Sequence, residues 1–209
     1  VLQGRDASGK DGTIRHVFGP CDPQGVHVSS FKAPTDLELA HDFLWRIHAV
    51  VPPKRMIGIF NRSHYEDVIV VRVKNLAPRS VWSKRYEQIN NFEHMLTENG
   101  VIILKFFLHI SHDEQKEQLI ERLEDPAKNW KFRAGDLDDR KLWNQYTRAI
   151  GDALAKCSTE WAPWYVVPAD DKKARNYLVT RTIVDKLESL KLHYPRADKK
   201  VLALKDNIT

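Results

Sequence analysis

The stretch Gly4-Arg5-Asp6-Ala7-Ser8-Gly9-Lys10 satisfies G-x-x-x-x-G-K, and no other part of the chain restricts its fold as much. At that spacing successive backbone N–H groups can curl around a phosphate while the lysine adds a positive charge. Gly4, Arg5, Ala7, Ser8, Gly9 and Lys10 would line such a loop, with Asp11 and Gly12 just beyond it. Spacing alone is a weak warrant, because a chain of 209 residues meets the three fixed positions by chance about 7% of the time. Placement strengthens it: Ile14, Val17 and Phe18 continue the loop as a helix ending near Gly19-Pro20, and a helix N-terminus favours bound anions. The position after Lys10, where a metal-binding Ser or Thr is usual, holds Asp11. A carboxylate pressed on a phosphate would repel it, so Asp11 is expected to point outward. Asp6 is a hard oxygen donor inside the loop and is the expected Mg²⁺ anchor.

The hydrophobic period alternates along the chain. Short apolar runs at 26–31, 56–60, 101–108 and 163–167 predict strands, and helices are expected between them. Thr35 and Glu38 form a capping-box pair that opens a helix running to Pro52-Pro53; another helix is expected over 80–98. Ser111 and Glu114 make a second capping box for a helix that Pro126 stops, and two more are expected at about 138–157 and 170–192. The alternation predicts an α/β fold with a parallel sheet covered on both faces, ligands sitting at the carboxyl ends of the strands. Val1-Leu2-Gln3 enters the loop with little strand before it, so an N-terminal segment is expected to be missing from this sequence.

Two further segments carry chemistry. Asn61-Arg62-Ser63-His64-Tyr65-Glu66-Asp67 follows the strand at 56–60. Asn61 occupies the place where phosphate-loop enzymes usually hold an aspartate as second metal ligand, and Arg62 can fork onto phosphoryl oxygens. The cations and aromatics of Lys128-Asn129-Trp130-Lys131-Phe132-Arg133, between two helices, suit a mobile lid at about 126–142. His16 and His64 read as structural or merely phosphate-adjacent side chains.

Together GRDASGKDG at 4–12, FNRSHYEDV at 60–68, LKFFLHIS at 104–111, NWKFRAGDLDDR at 129–140 and APWYVVPADDKKARNYLV at 162–179 resemble the polyphosphate kinase 2 family over nearly the whole chain. The resemblance implies a thymidylate-kinase-like P-loop fold, a three-layer α/β/α sandwich with a helical lid, forming one kinase domain over 1–209. It implies Mg²⁺, with Mn²⁺ able to stand in, and phosphoryl transfer from inorganic polyphosphate to a nucleotide. Asp6, Lys10, Arg62 and Arg133 would carry transfer, Lys32 and Lys131 would add phosphate contacts, and Asp6 and Asn61 would hold the metal. Asn61 with His64 resembles the subgroup that handles both AMP and ADP, with ATP as product of the latter.

The net charge of +5 fits a polyanionic partner. Arg5, Arg15, Lys32, Lys74, Lys84 and Arg85 are candidates for a polyphosphate channel. No apolar run approaches the roughly 18 residues of a membrane span, so a cytoplasmic protein without a membrane partner is expected. Cys21 and Cys157 lack metal-ligand spacing and read as reduced thiols. A homo-oligomer is expected and nucleic acid is not. An ATP-dependent kinase of the same fold and a non-catalytic nucleic-acid-binding module are the rival readings.

Overall fold

The computed structural model describes residues 1–195 together with 197, 198, 200, 201 and 204. Strand β1 (Leu2–Gly4) feeds the glycine loop and helix α1 (Lys10–Phe18), followed by β2 (Val26–Ser30), α2 (Asp36–Leu39), α3 (Trp45–His48) and β3 (Ile57–Asn61). Next come α4 (Glu66–Val73), α5 (Arg79–Trp82), α6 (Arg85–Glu98), β4 (Lys105–His109) and α7 (His112–Glu124). The chain closes with α8 (Ala134–Lys141), α9 (Trp143–Cys157), β5 (Trp164–Pro168) and α10 (Lys172–Ser189).

Among the described residues the strands form one parallel sheet in the order β2-β3-β1-β4-β5. Its two-residue side-chain period divides the core. Leu2, Ile59, Phe106, Leu108 and Val167 pack on one face with Ile14 and Val17 of α1 and Val179 and Ile183 of α10. Phe107 faces the other way, into a cluster with Val68 and Ile69 of α4, Ile89 of α6 and Ile150 and Ala153 of α9. The result is the expected three-layer α/β/α arrangement. β1 lies at its centre, so the loop emerges at the carboxyl ends of the middle strands, where α/β folds bind ligands.

Several elements differ from the sequence expectation. The helix expected from Thr35 to Pro52 is two short pieces. The capping box at Thr35 and Glu38 is present, but Asp42 accepts a hydrogen bond from Leu44 N (2.9 Å), a local alternative to continuing the helical ladder. The helix over 80–98 begins at Arg79 and is interrupted at Ser83 and Lys84, where the bond from Lys84 N tightens to Val81 O. The run expected as a strand at 101–108 enters the ladder only at Lys105. The helix expected at 138–157 starts earlier and divides at Leu142 into α8 and α9. Helix α4 was not anticipated: Val68-Ile69-Val70-Val71 is β-branched, yet burial of one face against α9 overrides that preference.

One polar cluster sits inside the second core. Lys105, fully buried, donates to Glu93 Oε2 (2.5 Å), Tyr65 Oη (2.7 Å) and Cys157 O (2.7 Å), while Tyr65 Oη donates to Glu93 Oε1 (2.9 Å). This network pins α6, β4, the end of α9 and the segment leading into α4 to one another. Glu93→Ala leaves the Lys105 charge uncompensated and is expected to cost about 3–5 kcal/mol, read as a lower urea midpoint. Replacing both residues with apolar side chains should recover much of that loss; an unchanged midpoint in Glu93→Ala would show that the pair does not hold the core.

Candidate active site

Alternate left-handed turns shape the loop. Ala7 has φ 64° and Gly9 φ 87°, and the intervening Ser8 N donates to Arg5 O (3.2 Å). Such reversals turn backbone N–H groups inward to make an anion-binding concavity. Gly4 is required by space: a Cβ there would lie 2.5 Å from Ser8 Oγ and 2.8 Å from Leu108 O. Gly9 is required by both space and φ, because a Cβ would run into the Arg175 guanidinium. Lys10 is buried and bridges the loop, donating from Nζ to Gly4 O (2.7 Å) and Arg5 O (3.0 Å). Burial, with Arg62 nearby, pulls its pKa down to about 8. Gly12, by contrast, is open on the first turn of α1.

The end of β3 completes the site. Arg62 is left-handed at φ 63°, its N–H donating to Leu2 O (3.0 Å), so its side chain starts beside the entry to the loop. Arg62 Nη2 donates to Asp6 Oδ1 (2.7 Å) and Nη1 to Glu66 Oε2 (3.3 Å). Burial pushes the Asp6 carboxyl up, but Lys10, Arg62 and Arg122 together outweigh it and hold the group below the usual carboxylate range. Asp6 is therefore ionised at neutral pH. Asp11 is exposed, and its carboxylate accepts from Asn61 Nδ2 (2.7 Å), outside the loop mouth.

The structure thus brings Asp6, Lys10, Arg62, Asn61 and Asp11 together. It leaves others apart. Arg133 is exposed at the start of α8, Lys131 packs over the Trp130 ring (5.1 Å), and Lys32 is exposed; none forms a hydrogen bond or ion pair with the loop among the described residues. Of the channel cations, Lys74 is paired with Asp139 (2.8 Å) and Arg85 with Asp67 (2.8 Å), whereas Arg15 and Lys84 are exposed. His64 is buried and bonds to Glu93 (3.0 Å), whereas His16 is exposed on α1.

Residues that sequence reasoning passed over tie the loop to the lid. Buried Gln115 on α7 donates to Asp6 O (2.9 Å) and accepts from Arg140 of α8 (3.0 Å). Arg5 stacks over Trp143 (3.7 Å) and donates to Trp143 O (3.1 Å) and Thr147 Oγ1 (2.5 Å) on α9. A cleft opens beyond Asp6 and Arg62, floored by Ile69, Val70, Phe107 and Ile150 and edged by Glu66, Asp139 and Tyr146. Glu66, Phe107, Asp139 and Arg140 stand inside segments singled out from the sequence, though without a role of their own; Gln115 lies within an ordinary helical pattern and offers no separate signal.

Comparison with known proteins settles the affiliation. The family described as Polyphosphate kinase 2 (PPK2) matches residues 1–195. The chain belongs to the polyphosphate kinase 2 family. It is 58% identical to the AMP/ADP-polyphosphate phosphotransferase of Meiothermus ruber over 198 residues, covering 95% of this chain and 74% of that protein. It is 46% identical to the ADP-polyphosphate phosphotransferase of Rhodopseudomonas palustris, covering 93% and 72% respectively. Among solved structures, polyphosphate kinase 2 from Arthrobacter aurescens superposes with a TM-score of 0.96 at 48% identity, over 99% of this chain and 73% of that one. A lysine in the position of Lys10 contributes its charge to a bound phosphate only while protonated. With its free-protein pKa near 8, kcat/KM for the donor should fall about tenfold per pH unit above pH 8. A profile flat to pH 9.5 would contradict this role.

Proposed function

We propose that this chain transfers a phosphoryl group reversibly between inorganic polyphosphate and an adenine nucleotide, taking AMP to ADP and ADP to ATP. The observation that carries the reading is the meeting of Lys10, Arg62 and Asp6 at one left-handed phosphate loop in a member of this family. The phosphate loop receives the end of the polyphosphate donor. The neighbouring cleft receives the nucleotide, its apolar floor suiting a base and Arg62 standing between the two. The dual acceptor range follows the Meiothermus ruber relative.

An oxygen of the nucleotide's terminal phosphate attacks the end phosphorus of the chain. The new P–O bond forms as the bond to the next phosphate breaks, and the polyphosphate leaves one unit shorter with the bonding electrons. Lys10 and Arg62 offset the charge that spreads over the transferring oxygens, and the loop amides hold the donor in line. Gln115 and Arg5 fix the loop against the base of the lid, from which Arg133 is carried towards the phosphates on closure. Both reactants and products are phosphoanhydrides, so the step runs either way.

Mg²⁺, replaceable by Mn²⁺, fits the donor set. Asp6 is ionised and one of its oxygens accepts no hydrogen bond from the described residues, while Asn61 Oδ1 is likewise free of protein donors. No group of three or more His, Cys, Asp or Glu among the described residues could hold a metal alone, which suits an ion that keeps waters and shares phosphate oxygens. The metal would neutralise phosphate charge and align the two substrates.

The reading includes a homo-oligomer, supported by exposed Leu37, Leu39 and Trp45 on α2 and α3. It also includes a cytoplasmic setting, where adenine nucleotides are abundant and thiols such as Cys21 and Cys157 stay reduced. No helix among the described residues is long and apolar enough to cross a membrane. The test offers long-chain polyphosphate and Mg²⁺ with AMP or ADP separately and separates the nucleotides by chromatography. ADP and then ATP from AMP is the expected result, with Lys10→Ala reducing turnover by at least about a hundredfold. Products from ATP and AMP but none from polyphosphate would assign an ATP-dependent kinase instead.

A further inference from the structure

The segment at 162–179 has no part in the mechanism so far, although it delivers a side chain to the phosphate loop. Arg175, in the first turn of α10, is only 5% exposed. Its guanidinium lies against Gly9 on the α10 side of the loop, with Nη1 inside contact distance of where a Cβ of that residue would stand. Nη1 donates to Ser8 O (3.3 Å). The remaining bonds go to the amide oxygen of the adjacent Asn176, from Nε (3.3 Å) and Nη2 (3.2 Å), and Thr13 of α1 shares that oxygen (3.3 Å).

Every one of these acceptors is neutral and every bond is long for a guanidinium, whose charge-assisted bonds run to about 2.7–2.9 Å. Arg175 forms no ion pair among the described residues. The nearest carboxylate to influence it, Asp171, is occupied in capping α10, accepting from Lys173 N (2.7 Å) and Ala174 N (2.8 Å). Buried Arg46 is treated differently, reaching Glu38, and half-buried Arg62 reaches both Asp6 and Glu66. A buried charge without a counter-ion is costly. Here the deficit lies directly behind a loop built to bind anions.

We infer that Arg175 is a positioning residue for the polyphosphate donor, its missing counter-ion being the phosphate held in the loop, whose charge it balances through the Ser8–Gly9 backbone. Lys10 and Arg175 then flank the bound phosphate from opposite sides of the loop. The role is electrostatic, so it separates from a mechanical brace. Arg175→Gln keeps an N–H donor for Ser8 O and loses the charge; Arg175→Lys keeps the charge and loses the planar fork.

The inference rests on the loop being the donor site, and the test distinguishes the two. Thermal unfolding of wild type, Arg175→Gln and Arg175→Lys is followed with and without tripolyphosphate, alongside KM and kcat with long-chain polyphosphate. Arg175→Gln should unfold without ligand at the wild-type temperature or above it, because an uncompensated charge has been removed. Its tripolyphosphate-induced shift should largely vanish, and its KM for polyphosphate should rise on the order of tenfold with a smaller change in kcat. Arg175→Lys should restore most of the shift and the KM. A wild-type shift that Arg175→Gln retains in full would overturn the inference, as would a lowered ligand-free unfolding temperature with unchanged KM. If Arg175→Gln fails to fold, an Arg175→Lys variant with wild-type stability and a tenfold higher KM would also overturn it. No shift in the wild type itself would instead refute the donor assignment of the loop.

Discussion

Two left-handed residues in the space of three, Ala7 and Gly9, turn the backbone amides of the glycine loop inward. Once they do, positive charge around the loop becomes the dominant fact of the molecule. Lys10 bonds to carbonyls, Arg5 lies on an indole ring, and Arg175 rests on backbone and amide oxygens, so three cations at the loop have no carboxylate bound to them among the described residues. A protein that folds around such a site forgoes stability in the free state and recovers it when a polyanion binds. Asp6 and Glu66 are both bonded to Arg62, and together with Asp11 they offset part of the Lys10 charge without bonding to it.

The rest of the fold holds this arrangement in place. β1 at the sheet centre fixes where the loop emerges, and the hydrogen bond from Arg62 N to Leu2 O fixes β3 beside it. Beneath, the Lys105–Glu93–Tyr65 network locks the residues that follow Arg62 to β4 and α6. Above, Gln115 and Arg5 join residues 5 and 6 to α7, α8 and α9. Each connection uses a side chain far away in sequence, which is how a short loop acquires a rigid surround.

That same feature explains what the sequence disclosed and what it withheld. The glycine loop, the capping box at Thr35 and the β-α alternation are local patterns, and each has its counterpart in the structure; at Ser111 only half of the expected box forms, its Oγ accepting from Glu114 N while its N–H donates to Asp170 instead of Glu114. Asp6, Lys10 and Arg62 stood out because their chemistry is carried by short motifs. Gln115 did not, and Arg140 and Arg175 stood inside longer motifs without a role of their own, since polar residues on amphipathic helices look alike until tertiary packing buries some of them. The β-branched run of α4 gave no helix signal for a related reason: such residues lower local helix preference, and contacts with α9 decided the outcome. The division of the helix after Thr35 came from one aspartate side chain competing for a backbone N–H.

The central claim is that the loop is a cationic cradle whose counter-ion is the phosphate chain. It is tested most directly by calorimetric titration of the nucleotide-free protein with tripolyphosphate across a series of salt concentrations. Exchange of released counterions for protein cations predicts one binding site whose affinity falls linearly, and steeply, on a log–log plot against salt. Tight binding that does not change with salt, or no binding in a folded preparation, would contradict the account.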